Sequence, residues 1–432
     1  MLTLVIVLGG YWLTALARAS TPAVPPGLIV YGVVFTVVYL GAHLAVRRLT
    51  PSSDPLFLPI AMLLNALGFV LIARLDSGNS GFAAAQLRWL VVGVIAFTLT
   101  LWLVKDLRSL ARFRYSFLLA GVVLLLLPIL PGLGREINGA RLWIHLGPLN
   151  FQPAELGKVA LVFFFAGYLS ERREVLAAAR TRIGPLRIPE GRHFGPIALA
   201  WGVSLMIMIL EKDLGSSLLF FTVFVLLLWI ATGRPVYLAA GTLMFAAGAM
   251  LAYRLFDHVQ TRITIWLDPF KYLHGKGFQL VQSLFAMATG GVWGTGLGLG
   301  RPDLIPIVRT DLIFSALGEE LGLAGTTAVL LAYALFSARA FGLATRAQDD
   351  FTKLLVAGLA ITFSFQTFII LGGVTQLIPL TGLTLPFMSY GGSSLLSNLI
   401  LVALLVRASH QVSTQLGDAP LTELNLAAGG AR

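Results

Sequence analysis

The 432-residue chain contains no cysteine. That absence excludes a disulfide framework, a thiol nucleophile and a thiolate metal site. Charge is scarce too: Asp, Glu, Lys and Arg make up 12% of the residues, where a soluble protein carries about 25%. Acids are the rarer sign, 20 against 31 basic residues, for a net charge of +11. Long polar stretches are few. Apolar residues make up 57% of the chain, and runs long enough to span a bilayer recur along its whole length. Backbone groups in lipid must pair internally, which leaves helices or closed barrels. Runs this continuous exclude a barrel, so the fold class reads as all-α and polytopic. The basic excess is explained by cytoplasmic-loop bias, and no nucleic-acid role is attached to it. The first apolar run lacks a basic n-region and a small-residue cleavage site, so it reads as a retained span.

Twelve spans are predicted, at 2–18, 27–46, 55–74, 87–104, 115–131, 153–170, 195–211, 214–232, 235–254, 312–338, 354–372 and 390–407. An even number puts both termini on one side. Alternate short loops concentrate the basic residues, among them Arg47, Arg48, Lys105, Arg108, Arg172, Arg173, Arg234, Arg339 and Lys353. Positive-inside then places both termini in the cytoplasm, in a multi-pass protein of the cytoplasmic membrane. The loops at 132–152, 211–213, 255–311 and 373–389 face outward. Residues 1–50 hold two spans without an acidic residue, followed by a T-P-S-S-D-P link. They read as an extension on a ten-span core at 55–407. The tail 408–432 is polar and Ala/Gly-rich, and is expected to be disordered.

The outward loops carry the candidate chemistry. Loop 132–152 holds Arg135, Glu136, Arg141, Trp143 and His145, as ordinary interfacial residues or as substrate contacts. Pro153 suits a helix first turn. Glu155 and Lys158 follow at i, i+3 on one face, as a buried ion pair or a cavity wall. Glu211, Lys212 and Asp213 sit in a tight turn. They are solvated charges there, unless Lys212 or Asp213 points into an outward cavity. Trp266, Phe270 and Tyr272 alternate with Arg262, Lys271 and Lys276, which suits a segment lying on the outer leaflet. Residues 278–290 have a helical apolar stripe but are short for a span, so they read as interfacial or re-entrant. G-G-V-W-G-T-G-L-G-L-G (290–300) follows no strand and has no lysine after its glycines, which excludes a P-loop. Glycines at that density permit close backbone approach or a hinge.

Asp303 precedes Asp311 by eight residues, with Arg301 and Arg309 close by. Two carboxylates and two guanidiniums suit a phosphorylated sugar: an acid takes a proton while arginines hold phosphate oxygens. Asp311 stands where a polar loop enters a spanning helix, a costly place for a carboxylate unless it is paired or used. It is the principal candidate. Glu319 lies about 12 Å deeper by helical rise, and Glu320 points roughly the other way; both read as functional acids or as polar glue between helices. Residues 372–396 carry no charge and are rich in Gly, Pro, Ser and Thr. With Ser389, Tyr390 and Ser393, they read as a broken segment forming a substrate wall.

L-P-F-M-S-Y-G-G-S-S-L-L resembles the signature of the SEDS family (shape, elongation, division, sporulation), the RodA/FtsW/SpoVE group. Three further blocks match in order: N-G-A-R-L-W with F-Q-P-A-E-L-G-K, D-L-G-S-S, and R-T-D-L-I-F-S-A-L-G-E-E-L-G. The resemblance covers roughly residues 55–407. It implies a glycosyltransferase that polymerises lipid II into β-1,4 glycan strands on the outer face of the membrane, releasing undecaprenyl pyrophosphate. The family's essential aspartate falls on Asp311. Arg141, Trp143, Glu155 and Lys158 match family positions around the first outward loop, and Asp213 matches the aspartate of the D-L-G turn. Three departures stand out: Asp303 where glutamate is often found, E-K-D-L-G for Q-P-D-L-G, and Thr375-Gln376-Leu377 for Thr-Gly-Leu.

The implied mechanism makes Asp311 the general base, with Arg141, Lys158, Lys212 and Arg309 as cations for the departing pyrophosphate. A divalent cation (Mg or Mn) bridging Asp311 or Asp303 to the pyrophosphate is a further option. The implied partner is a class B penicillin-binding protein, a transpeptidase, in an elongation or division complex. Two other readings remain: a lipid II flippase, which would favour mid-membrane acids such as Glu319 and an inverted repeat, and a membrane scaffold, which predicts tolerance at Asp311.

Overall fold

Leu, Val, Ala and Phe dominate the apolar runs, and these fold as helices whose inner faces meet in one continuous core. The computed structural model describes residues 7–10, 12, 28–76, 81–137, 140–146, 149–177, 181–183, 186–188, 202 and 213–429. In chain order its helices are α1 (Leu28–Leu49), α2 (Phe57–Leu75), α3 (Phe82–Leu103), α4 (Arg114–Leu126), α5 (Ala154–Ala177) and α6 (Leu214–Thr232). They continue with α7 (Val236–Leu255), α8 (Asp257–Leu267), α9 (Phe278–Gly290), α10 (Ile313–Arg346), α11 (Asp350–Val374) and α12 (Gly392–Gly429). Among the described residues, nine segments are long and apolar enough to cross a membrane. The 24-residue α5, charged in its second half, corresponds to another expected span. The expected spans at 2–18 and 195–211 lie almost wholly outside the described residues. Helix α1 is well attached: Phe35, Tyr39 and Ala42 are buried, and Phe35 meets Phe69 of α2 at 5.9 Å.

Three features depart from the sequence reading. First, loop 132–152 forms a small antiparallel sheet, β1 (Gly134–Ile137), β2 (Ala140–Leu146) and β3 (Leu149–Phe151), with Arg141 opposite Glu136 and Trp143 opposite Arg135. The alternation of Leu142, Ile144 and Leu146 with Arg141, Trp143 and His145 is the strand period. A second hairpin, β4 (Thr181–Ile183) with β5 (Leu186–Ile188), lies in the basic loop. Second, the tail expected to be disordered from residue 408 continues as helix to Gly429. Contacts reward helix beyond the apolar run. Arg407 donates to the carbonyls of Leu49 and Leu101, Ser409 Oγ accepts from Asp54 N at 2.7 Å, Gln411 donates to Lys105 O at 2.9 Å, and Val412 is buried.

Third, the span expected at 312–338 runs to Arg346 and is broken at Gly322, whose backbone (φ 63°, ψ −165°) is non-helical. A break strands carbonyls and amides, which at membrane depth must find partners within the protein. The glycine-rich stretch supplies them. Thr295 N and Gly296 N donate to Glu319 O (2.9 Å) and Glu320 O (3.0 Å), while Leu323 N and Ala324 N donate to Gly291 O (2.9 Å) and Val292 O (3.0 Å). The glycines are required by contact: a Cβ on Gly294 (φ 81°) would lie 2.2 Å from Glu320 O, and one on Gly322 would lie 2.3 Å from Gly294 N. Gly294→Ala therefore combines a disfavoured φ with a backbone clash. It is expected to lower the thermal midpoint in detergent, with a cost of at least about 1–3 kcal/mol. An unchanged midpoint would count against this packing.

The two acids at the break act as structural polar contacts. Glu320 pairs with Arg74 of α2, both side chains almost fully buried, and Arg74 Nη2 donates to Gly300 O at 2.6 Å. Glu319 Oε1 accepts from Arg301 N at 2.6 Å.

Candidate active site

Residues 376–391 connect α11 to α12 without regular structure, so their backbone groups need partners from elsewhere. Side chains from surrounding helices provide them. Gln366 of α11 donates to Thr384 O (2.8 Å), Tyr333 of α10 to Pro386 O (2.6 Å), and Asn65 of α2 to Phe387 O (3.1 Å). From α8, Arg262 Nη1 donates to Leu380 O (3.2 Å) and Thr381 O (2.8 Å). Phe387 packs on Phe363 at 6.0 Å. The uncharged stretch is thus a rigid wall, as its composition suggests.

The turn that bears Asp311 is attached to this wall. Ser389 Oγ donates to Thr310 O and accepts from Leu385 N at 2.9 Å, and Tyr390 N donates to Arg309 O at 2.7 Å. Asp311 then lines a narrow crevice with Ile369, Ile370, Gly373, Leu380, Thr381, Gly382 and Leu383. Gly382 lies between the two side chains: a Cβ there would be in ordinary contact with both, 3.7 Å from Arg262 Nη2 and 3.8 Å from Asp311 Oδ2. Burial pushes the Asp311 carboxyl up to about 6, against the opposing pull of the Thr310 hydroxyl and the Arg262 guanidinium. Burial lowers the Arg262 guanidinium, while Asp213 and Asp311 pull it back up. An acid titrating near neutrality beside a buried cation is the arrangement expected of a proton acceptor.

The remaining candidates separate by what already occupies them. Asp213 is the N-cap of α6: Oδ1 accepts from Ser216 N at 3.0 Å and Oδ2 from Ser216 Oγ at 2.6 Å. It is also within electrostatic reach of Arg262. Glu155 and Lys158 pair at 2.8 Å, both buried, and Lys158 Nζ donates to Gln366 Oε1 at 2.9 Å. That pair is therefore linked through Gln366 to Thr384 of the wall, and Lys158 also borders an apolar crevice with Phe165, Phe220 and Val223. Ser393 Oγ accepts from Gln152 N at 2.7 Å, pinning the entry of α5 to α12. Arg309 lies over the Phe82 ring, 3.7 Å from its centroid, and Tyr390 meets the same ring edge-on at 5.1 Å. Arg141 is exposed and Trp143 half-buried on β2. Asp303 is exposed and pairs with Arg301 at 3.6 Å. Lys212 and Glu211 lie outside the described residues.

Asp311, Asp213 and the signature serines thus share one framework around residues 380–391. Arg262 is the residue that sequence reasoning missed. Its only signal is a basic side chain one helical turn before Trp266 in an amphipathic segment.

A family profile named for FtsW, RodA and SpoVE and described as "Cell cycle protein" matches residues 54–414. "Peptidoglycan glycosyltransferase RodA" of Mycobacterium tuberculosis (strain ATCC 25618 / H37Rv) is 46% identical over 415 residues, covering 94% of this chain and 88% of the relative. "Probable peptidoglycan glycosyltransferase FtsW" of Geobacter sulfurreducens (strain DL-1 / KN400) is 35% identical over 317 residues, covering 73% and 81%. A solved structure described as "Structural coordination of polymerization and crosslinking by a peptidoglycan synthase complex" superposes with TM-score 0.65 at 28% identity, covering 83% of this chain and 98% of that one. The crystal structure of the rod shape determining protein RodA of Thermus thermophilus gives TM-score 0.57 at 28% identity, covering 83% and 96%.

Proposed function

The chain belongs to the FtsW, RodA and SpoVE family, and from that premise we propose that Asp311 is the general base of glycan-strand polymerisation from lipid II. The protein is a peptidoglycan glycosyltransferase of the inner membrane, crossing it many times. The observation that carries the assignment to Asp311 is its placement: a carboxylate fixed by the Ser389–Thr310 bond, beside Arg262, at the edge of the 380–383 wall.

In this reading the 4-hydroxyl of an acceptor sugar attacks the anomeric carbon of a donor. Asp311 takes the hydroxyl proton, and undecaprenyl pyrophosphate leaves. A single displacement converts an α-linked donor into a β-1,4 product. The leaving group gathers negative charge, which a fixed cation in a poorly hydrated site stabilises. Arg262 supplies that cation. It is the cation that acts on Asp311, whereas Lys158 is bonded to Glu155 and Gln366 and Arg309 lies over Phe82. Both termini lie in the cytoplasm, so the wall and the β1–β3 sheet face outward, where the positive-inside distribution puts them. A class B penicillin-binding protein completes the assembly in elongation or division. The complex described for the neighbouring solved structure supports that partner.

A divalent cation, Mg or Mn, has no protein-only cluster to hold it among the described residues: no three His, Cys, Asp or Glu side chains converge, and Asp303 is taken by Arg301. Such an ion would need pyrophosphate oxygens beside Asp311, and no step above depends on it. The flippase alternative gains no support from Glu319, whose Oε1 accepts from the Arg301 amide at the helix break.

The activity depends on pH through the base. With Asp311 near 6, its charged form dominates at neutral pH. Below that value kcat is expected to fall about tenfold per pH unit, as the base is protonated. The charged groups facing Asp311 among the described residues are Arg262 and, beyond it, Asp213. Removing the cation in Arg262→Gln raises the Asp311 value further, so the acid limb moves to higher pH. Initial rates of labelled lipid II polymerisation between about pH 5 and 8 test both statements. A limb that stays put in Arg262→Gln would contradict the electrostatic coupling of the two side chains.

A further inference from the structure

Gln376 stands in the left-handed region, with φ 60°, a conformation that glycine adopts freely and other residues avoid. It is one of the three non-glycine residues with positive φ among the described residues. Glycine is also the usual residue of the motif at this point. The side chain accounts for the exception. Gln376 Nε2 donates to Trp266 O at 2.8 Å, and Trp266 Nε1 donates back to Gln376 O at 2.9 Å. The two residues thus close a reciprocal pair between α8 and the start of the wall.

Trp266 and Arg262 are four residues apart on α8 and share one face. That face bonds the wall twice, at Gln376 through Trp266 and at Leu380 and Thr381 through Arg262. Without the Trp266 anchor, the α8 face would be bonded to the wall by the Arg262 guanidinium alone, at the end of a flexible side chain. The anchor fixes the axial position and rotation of α8, and with them the point from which Arg262 reaches Gly382 and Asp311.

We propose that Gln376 and Trp266 form a positioning lock that holds α8 in register with the wall and so sets Arg262 beside Asp311. The lock rests on the reading of Asp311 as the base. Neither residue touches the reacting atoms in this scheme; both act through Arg262.

Gln376→Gly separates this from a merely structural role. Glycine relieves the backbone, so a passive residue would leave activity unchanged and the protein as stable or more stable. The lock predicts a kcat lower by about tenfold to a hundredfold, the cost of a small misplacement at a reacting centre, with KM for lipid II little changed and the thermal midpoint not reduced. Trp266→Phe, which keeps an aromatic ring, though a smaller one, and removes the donor, should reproduce the loss. The double variant should be no worse than the worse single variant, because both break one unit. Hydrogen exchange at the amides of Leu380, Thr381 and Gly382 should quicken in each. Wild-type kcat in both single variants, or losses that multiply in the double variant, would overturn the lock. Asp311→Asn run alongside keeps the two claims apart. If that variant polymerises normally, the base assignment fails and the exchange data alone decide the lock: faster exchange sustains it, and unchanged exchange removes it.

Discussion

Asp311→Asn protein, purified in detergent and given labelled lipid II, is expected to make no glycan ladder under conditions where wild type does. Asparagine keeps the shape of the side chain and removes the proton acceptor. Loss of general-base help lowers the rate by about 10²–10⁴-fold, enough to erase the ladder within a normal assay. Folding should survive. The turn is held by Ser389 on Thr310 and by Tyr390 on Arg309, neither of which uses the carboxylate. Arg262 keeps its bonds to Leu380 and Thr381, so the substitution does not strand a buried cation. Asp303→Asn is the matched control, because that carboxylate is exposed and paired only with Arg301. It should stay within a few-fold of wild type. Normal polymerisation by Asp311→Asn would end the base assignment, and a silent Asp303→Asn would show that the assay reports position rather than charge.

The second large effect is on stability. Glu320→Ala should leave Arg74 charged and unpaired in the core, where neither side chain of the pair is more than 1% exposed. Breaking a buried pair from one side costs about 3–5 kcal/mol, against a total stability of about 5–15 kcal/mol for typical proteins. The variant should lose a large part of its cooperative thermal transition in detergent. Arg74→Leu with Glu320→Leu should recover much of the loss, since removing both charges removes the stranded one. Recovery will be incomplete, because Gly300 O loses its Arg74 donor. A Glu320→Ala midpoint equal to wild type would mean that Arg74 finds water, and would place this break near an aqueous path.

How far the site is legible in the sequence depends on whether a residue's role is local. Asp311 is visible because it interrupts an apolar run at the edge of a span, although the turn that carries it is fastened from afar by Ser389 and Tyr390. The spans are visible for the same reason. Arg262 is not, because what makes it functional is a pair of carbonyls 118 and 119 residues further along the chain. The Gly322 break is equally hidden. G-E-E-L-G-L-A-G contains three glycines, and only the arrival of residues 291–296 decides which one leaves the helix. Glu319 and Glu320 illustrate the same limit. Buried acids invite a functional reading, yet one holds an amide and the other a guanidinium from α2. Ser389 and Ser393 lie in the right motif but serve as fasteners, their hydroxyls spent on backbone groups.

The placement of α12 has a consequence for how the protein is made. In the most apolar 18-residue stretch of its span, Gly392–Leu416, 89% of the residues are buried, and the wall that precedes it receives donors from α2, α3, α8, α10 and α11. These segments leave the ribosome before the piece that organises them. Until translation passes the last span, the earlier helices can enter the bilayer and pair with one another, but the far end of the wall is not yet tied down. Asp311 then sits on a loosely held turn. A chain released early by a stalled ribosome would therefore be inserted yet inert and poorly packed, and quality-control proteases could remove it before it made any strand.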